Sequence, residues 1–294
     1  MHEIETMKNS TTIPIEMDEG VFLNQIKARE FGEELSGAYC FAEPYPHIVI
    51  DNFLPTQLAN EILLNFPINR NINSEYEYNH AGIQEHKRQI FPNNTNAFCR
   101  NIFGFFNSAS FLQFLEGLTT IDGIISDSYF NGGGFHEISR GGKLGVHADF
   151  RINEQLHLSR RINVLIYLND NWQDEWGGQL EIWDKDMKNK VHSISPIFNR
   201  CVIFNTDANS YHGHPDPLNC PPDITRKSIA LYYYTASKAI YEEVPANTTM
   251  YVSRPKENTL TKRNALKLRL QNYAKDLLPP ILFRKLRNLK KKFK

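Results

Sequence analysis

Residues 143–168, KLGVHADFRINEQLHLSRRINVLIYL, place two runs of strand character on either side of a polar connection. In an extended chain successive side chains alternate between faces, so His147 and Asp149 project together while Val146, Ala148 and Phe150 point the other way. The same parity in the second run puts Ile162, Val164, Ile166 and Leu168 on one face and Asn163 and Tyr167 on the other. Asn163 and Tyr167 are thus candidates to point into a cavity, although a tyrosine there is also good core filling.

Working outward, the pattern continues from about residue 121 to 235. Short β-branched and aromatic runs (GIISDSYF, GFHEI, GQLEIW, KVHSI, RCVIFN and RKSIALYYYT besides the two above) are separated by Gly, Asn, Asp and Pro. About eight short strands with regular turn signals predict a jelly roll or barrel rather than a βαβ sheet. The expected fold class is mainly β with flanking helices, a double-stranded β-helix (jelly roll), plus a C-terminal helical tail. Upstream, HIVIDNF reads as a strand. LPTQLANEILLNFP reads as a helix that Pro55 enters and Pro67 ends, and SFLQFLEGL reads as a second. Residues 68–100, rich in Asn and charge and without sustained periodicity, read as a long surface loop or lid. Residues 1–20 read as a loose polar leader, 21–256 as the main domain, and 257–294 as a basic amphipathic helical tail.

Bulk properties narrow the function classes. The chain has 294 residues, 41% hydrophobic, enough for a full core. Its longest apolar runs, such as INVLIYL, fall far below the roughly 20 residues of a membrane span. The N-terminus lacks a signal-peptide pattern, and the expected location is cytoplasmic. Cys40, Cys99, Cys201 and Cys220 form no C-x-x-C pair, so they read as reduced thiols. A formal net charge of zero hides an asymmetry: residues 260–294 carry 12 Lys and Arg against one acid, leaving 21 basic and 32 acidic residues before them. An acidic body repels phosphate, so no nucleic-acid partner is expected. The basic tail predicts peripheral contact with anionic membrane, against docking on the body, an oligomerisation helix or a plain solvated helix.

The His147–Asp149 pair offers an imidazole nitrogen and a carboxylate oxygen to one point. NSYHGHP adds His212, 65 residues later, with enough chain between to return across a closed roll. Two histidines and one carboxylate leave the other metal positions open, as in non-haem Fe(II) oxygenases. His214 shares the parity of His212 and is an alternative ligand. TRKSIALYYY then puts Arg226 and Ser228 on one strand face, a planar fork and a hydroxyl suited to a carboxylate. Tyr129, His136 and Tyr232 either face the cavity or fill the core, and Trp172, Trp176 and Trp183 read as packing.

The H-x-D motif, the distal His-Gly and the Arg-x-Ser, with RRINVLIYLNDNW, WGGQLEIW and NRCVIFNT between them, resemble the Fe(II)/2-oxoglutarate-dependent dioxygenases of the prolyl 4-hydroxylase-like branch over residues 45–235. The resemblance implies His147, Asp149 and His212 as iron ligands. It also implies 2-oxoglutarate anchored by Arg226, with Ser228, Asn163 and Tyr167 assisting, and O2 as cosubstrate with L-ascorbic acid as a candidate reductant. It implies hydroxylation of a polar substrate, peptide, sugar derivative or small metabolite, with release of succinate and CO2. The chain departs from the branch in having Arg226 where many members have Lys, and in the long segment PDPLNCPPDIT. A cupin-like metal-dependent isomerase or hydrolase, or a non-catalytic binding module, are the alternatives.

Overall fold

The computed structural model describes residues 12–18, 20–68, 75–80, 83–153, 155–236 and 249–255. The chain divides into two compact units, 1–254 and 255–294. The tail expected over 257–294 lies outside the described residues. The first unit runs α1 (Gln25–Cys40), β1 (His47–Ile50), α2 (Thr56–Leu64), β2 (Glu75–His80), β3 (Gln84–Ile90), α3 (Ala97–Phe106) and α4 (Ala109–Thr119). It continues through β4 (Ile125–Ser126), β5 (Gly134–Ala148), β6 (Ile152–Asn153), β7 (Leu158–Tyr167), β8 (Leu180–Trp183), β9 (Lys190–Ile194), β10 (Cys201–Asn205), β11 (His212–His214), β12 (Arg226–Ala236) and β13 (Met250–Tyr251).

Among the described residues thirteen antiparallel strands form one sheet curled into the jelly roll, eight along the path β1-β10-β7-β12-β5-β11-β8-β9 and β2, β3, β4, β6 and β13 paired off it. The alternation along β7 explains how the roll is held. Ile162, Val164, Ile166 and, just beyond the strand, Leu168 join Ile203, Ile229 and Leu231 in a core shared with the helices, including Leu58, Phe103 and Phe114. Leu165 and Tyr167 face the inside, with Leu180, Ile182, Val202 and Phe204. The central strands are therefore buried on both sides, which is why INVLIYL reads as an almost unbroken apolar run.

Three stretches differ from the sequence expectation, each for an identifiable reason. Within the leader, Ile13 is fully buried and Ile15 nearly so, and Ile13 N–H donates to Phe53 O at 2.8 Å. Helix α1 carries a weak apolar stripe because its buried face is Ala28, Gly32, Leu35 and Tyr39. Small residues there let α1 and α4 touch backbone to backbone: a Cβ on Gly32 would run into the Phe114 carbonyl, and one on Gly117 into that of Arg29. Among the described residues, 68–100 hold the paired strands β2 and β3 and the first turn of α3 rather than a loop. Strand β3 hides its periodicity because it buries Gln84, Arg88 and Gln89, polar groups that pair or face a polar cavity. A smaller difference is GIISDSYF, which gives only β4 before Asp127 accepts from the Tyr129 and Asn131 amides and closes a turn. No helix among the described residues is long and apolar enough to cross a membrane.

Candidate metal centre

The roll encloses a cavity of about 270 Å³ that His147, Asp149, His212, His214, Arg226 and Ser228 help to line. The end that holds the His147, Asp149 and His212 cluster is built by register. In the β5–β11 ladder His212 sits directly opposite His147, which brings the rings to 4.5 Å between centroids. Asp149 follows the end of β5. His147 Nε2 lies 3.5 Å from Asp149 Oδ1, and His212 Nε2 lies 3.6 Å from Asp149 Oδ2. One ligand atom from each of the three falls within 4.8 Å of the others, the one such His/Cys/Asp/Glu cluster among the described residues.

Hydrogen bonds prepare each group for a cation. His147 Nδ1 meets Gly145 O at 2.8 Å and His212 Nδ1 meets Ser210 O at 2.9 Å, in both cases the carbonyl two residues back. A carbonyl can only accept, so the proton sits on Nδ1 and the Nε2 lone pair is free for a metal. Asp149 Oδ2 accepts from Arg160 Nη2 at 2.9 Å and from Asn163 Nδ2 at 2.7 Å, leaving Oδ1 uncommitted. Burial pushes the Asp149 carboxyl up, but Arg160 and the two imidazoles outweigh it and hold it well below the carboxylate range. Burial, with His147 beside it, pushes His212 down to about 4. The triad thus offers two imidazole Nε2 atoms and one carboxylate, a donor set that fits a divalent ion with positions left open.

Arg226, at the start of β12, is 4% exposed. Its Nε donates to Gly178 O at 2.8 Å and its Nη2 to the Tyr167 hydroxyl at 3.3 Å, with the guanidinium 4.9 Å from the Tyr167 ring centre. No carboxylate pairs with it among the described residues. Burial lowers its pKa, and the neighbouring Tyr167 is what opposes that. Gly178, at φ 78°, makes the passage for this side chain, since a Cβ there would lie 3.0 Å from Arg226 Cδ and 2.6 Å from Leu218 Cδ2.

The structure sorts the residues singled out from the sequence. His147, Asp149, His212, Arg226, Ser228 and Asn163 share the cavity, though Asn163 is engaged on Asp149. Tyr167 is fully buried beneath Arg226 and reaches the cavity through it. His136 and Tyr232 line the cavity, whereas Tyr129 is 62% exposed. Trp172 and Trp176 pack edge to face, and the segment after His214 leaves the cavity to lie with Leu218 and Cys220 against Trp172.

Arg160 and Lys87 escaped the parity argument because bulges move them. On β7 the register jumps from Ile162 to Arg160, so Arg160 lands on the face of Asn163, stacked 3.5 Å from the Tyr232 ring centre. On β3 the register jumps between Glu85 and Lys87 at His86, whose φ is 51°, and Gln84 and Lys87 both reach the cavity. Burial lowers Lys87 to about 8, with the Asp149 carboxylate opposing.

Residues 133–234 match the model of the 2OG-Fe(II) oxygenase superfamily. No curated protein matches the sequence. Among solved structures, a prolyl hydroxylase from Trichoplax adhaerens, in complex with a hypoxia inducible factor oxygen degradation domain peptide fragment, is 19% identical. It covers 71% of this chain and 92% of its own, with a TM-score of 0.50. A prolyl 4-hydroxylase from Phytophthora capsici is 17% identical over 88% of this chain and 79% of its own, also with a TM-score of 0.50. At these identities the likeness is one of fold.

Proposed function

We propose, from the premise that this chain belongs to the 2OG-Fe(II) oxygenase superfamily through residues 133–234, that it hydroxylates a polar substrate at an iron held by His147, Asp149 and His212. Arg226 takes the distal carboxylate of 2-oxoglutarate, with Ser228 beside it. The observation that carries this reading is a buried guanidinium without an acidic partner among the described residues, in the same 270 Å³ cavity as the triad. A buried charge needs a counter-charge, and a bound dicarboxylate supplies it.

When bound, iron and 2-oxoglutarate supply O2 activation coupled to oxidative decarboxylation, with succinate and CO2 released and one oxygen atom left for the substrate. The chain's own residues set the conditions for that chemistry. Gly145 O and Ser210 O orient the two imidazoles, while Arg160 and Asn163 hold Asp149 so that one oxygen faces the metal. Arg226, fixed by Gly178 O and Tyr167, aligns the cosubstrate before reaction. The enclosing roll and its buried lining limit water. Candidate substrates remain a peptide, a sugar derivative or a small metabolite, with ascorbate as reductant. The test is succinate formation from 2-oxoglutarate by the Fe(II)-loaded protein: the wild type turns over slowly without substrate, Asp149→Ala does not, and equal rates would sink the reading.

A further inference from the structure

We propose that His214 is a further donor to the distal carboxylate of 2-oxoglutarate, working beside Arg226 and Ser228. This rests on the function proposed above. His214 is 3% exposed and lines the cavity, yet neither ring nitrogen has a hydrogen-bond partner among the described residues. The other cavity imidazoles are paired: His136 with Gly132 O, His147 with Gly145 O and His212 with Ser210 O. A buried imidazole carries an N–H, and leaving it unmatched is unfavourable, so a partner is to be sought in what the cavity binds.

Its place in the sheet says what that partner is. Strand β11 is bonded to β5 on one side and β8 on the other, with His212 opposite Ile182 and Gly213 opposite Glu181. His214 therefore lies one step further toward the start of β8, where Gly178 holds Arg226. Arg226 and His214 line the same cavity. The metal-ligating cluster consists of His147, Asp149 and His212 and leaves His214 out. A carboxylate offers about four lone-pair sites, of which the two parallel N–H groups of the Arg226 fork take two and the Ser228 hydroxyl one. An imidazole N–H at the same end completes the set.

The experiment is anaerobic titration of the Fe(II)-loaded full chain with 2-oxoglutarate and, separately, with 2-oxopentanoate. The latter keeps the keto acid end and carries a methyl group in place of the distal carboxylate. In His214→Leu the Kd for 2-oxoglutarate rises about tenfold or more, as expected for loss of a hydrogen bond to a charged group. The Kd for 2-oxopentanoate changes less than about twofold on the same reasoning, and Fe(II) affinity is unchanged. Unaltered 2-oxoglutarate affinity, or equal loss for both keto acids, overturns the assignment. So does loss of Fe(II) binding in a folded variant, which would make His214 a metal ligand. A wild type that binds neither keto acid defeats the parent reading instead. Should the leucine variant not fold, the unaltered protein decides: with histidine ¹⁵N label and Zn(II) in the site, 2-oxoglutarate must protect from exchange a ring N–H outside His136, His147 and His212. Its absence overturns the proposal.

Discussion

Arg160→Met removes the group that does most to keep Asp149 charged. The guanidinium donates to Asp149 Oδ2 at 2.9 Å and to Asn163 Oδ1 at 2.6 and 3.0 Å, so it fixes the carboxylate both directly and through the amide that also holds it. Arg160 is 2% exposed and the Asp149 side chain 10%. One charge-assisted hydrogen bond contributes about 1.5–3 kcal/mol, equivalent to roughly 10- to 100-fold in an equilibrium constant. Losses of that size are found when partners of metal ligands are removed. Methionine keeps the length that packs between Phe150 and Tyr232. Divalent metal affinity, measured by calorimetry with Mn(II) at neutral pH, should fall by about 10- to 100-fold. The sign with pH follows from the same charge: without Arg160, burial wins, the Asp149 carboxyl titrates higher, and protons displace the metal at a higher pH than in the wild type. An Arg160→Met protein that binds Mn(II) as tightly as wild type, with the same pH profile, would refute the reasoning.

Three further outcomes are expected. The metal-free protein loses stability as pH falls from about 6.5 toward 4, because burial keeps His136, His212 and His214 neutral in the fold while the unfolded chain takes up protons over that window; thermal melts of His136→Leu should show a shallower slope there. Gly178→Ala puts a methyl group against Arg226 and Leu218 at a positive φ, so 2-oxoglutarate binding weakens severalfold on the order of 1–2 kcal/mol of strain, while Mn(II) affinity holds. Deleting residues 260–294, with its net +11 charge, abolishes cosedimentation with vesicles rich in anionic lipid; undiminished binding would remove the membrane role.

What the sequence made legible follows from the period of a strand. His147 and Asp149, Arg226 and Ser228, and the split of Ile162, Val164 and Ile166 from Asn163 and Tyr167 all obey simple alternation, so the roll and the ends of its cavity could be read without coordinates. Arg160 and Lys87 could not, because each reaches the cavity through a bulge, and an extra residue in one strand leaves no mark in the alternation pattern. Helix α1 was hidden for a different reason: close approach of α1 and α4 selects Gly32 and Gly117 where a distant pair would show large apolar residues. Strand β3 was hidden because a strand facing a polar cavity carries Gln84 and Lys87 where a core strand carries Val or Ile.

The most direct test of the central claim is to add Fe(II) and then 2-oxoglutarate to the protein without oxygen, following the visible metal-to-ligand charge-transfer absorption. The wild type gives a band that is lost in Asp149→Ala and that needs far more 2-oxoglutarate in Arg226→Ala. A protein that binds Fe(II) and shows no band at saturating 2-oxoglutarate would contradict it and point to a metal used as a Lewis acid.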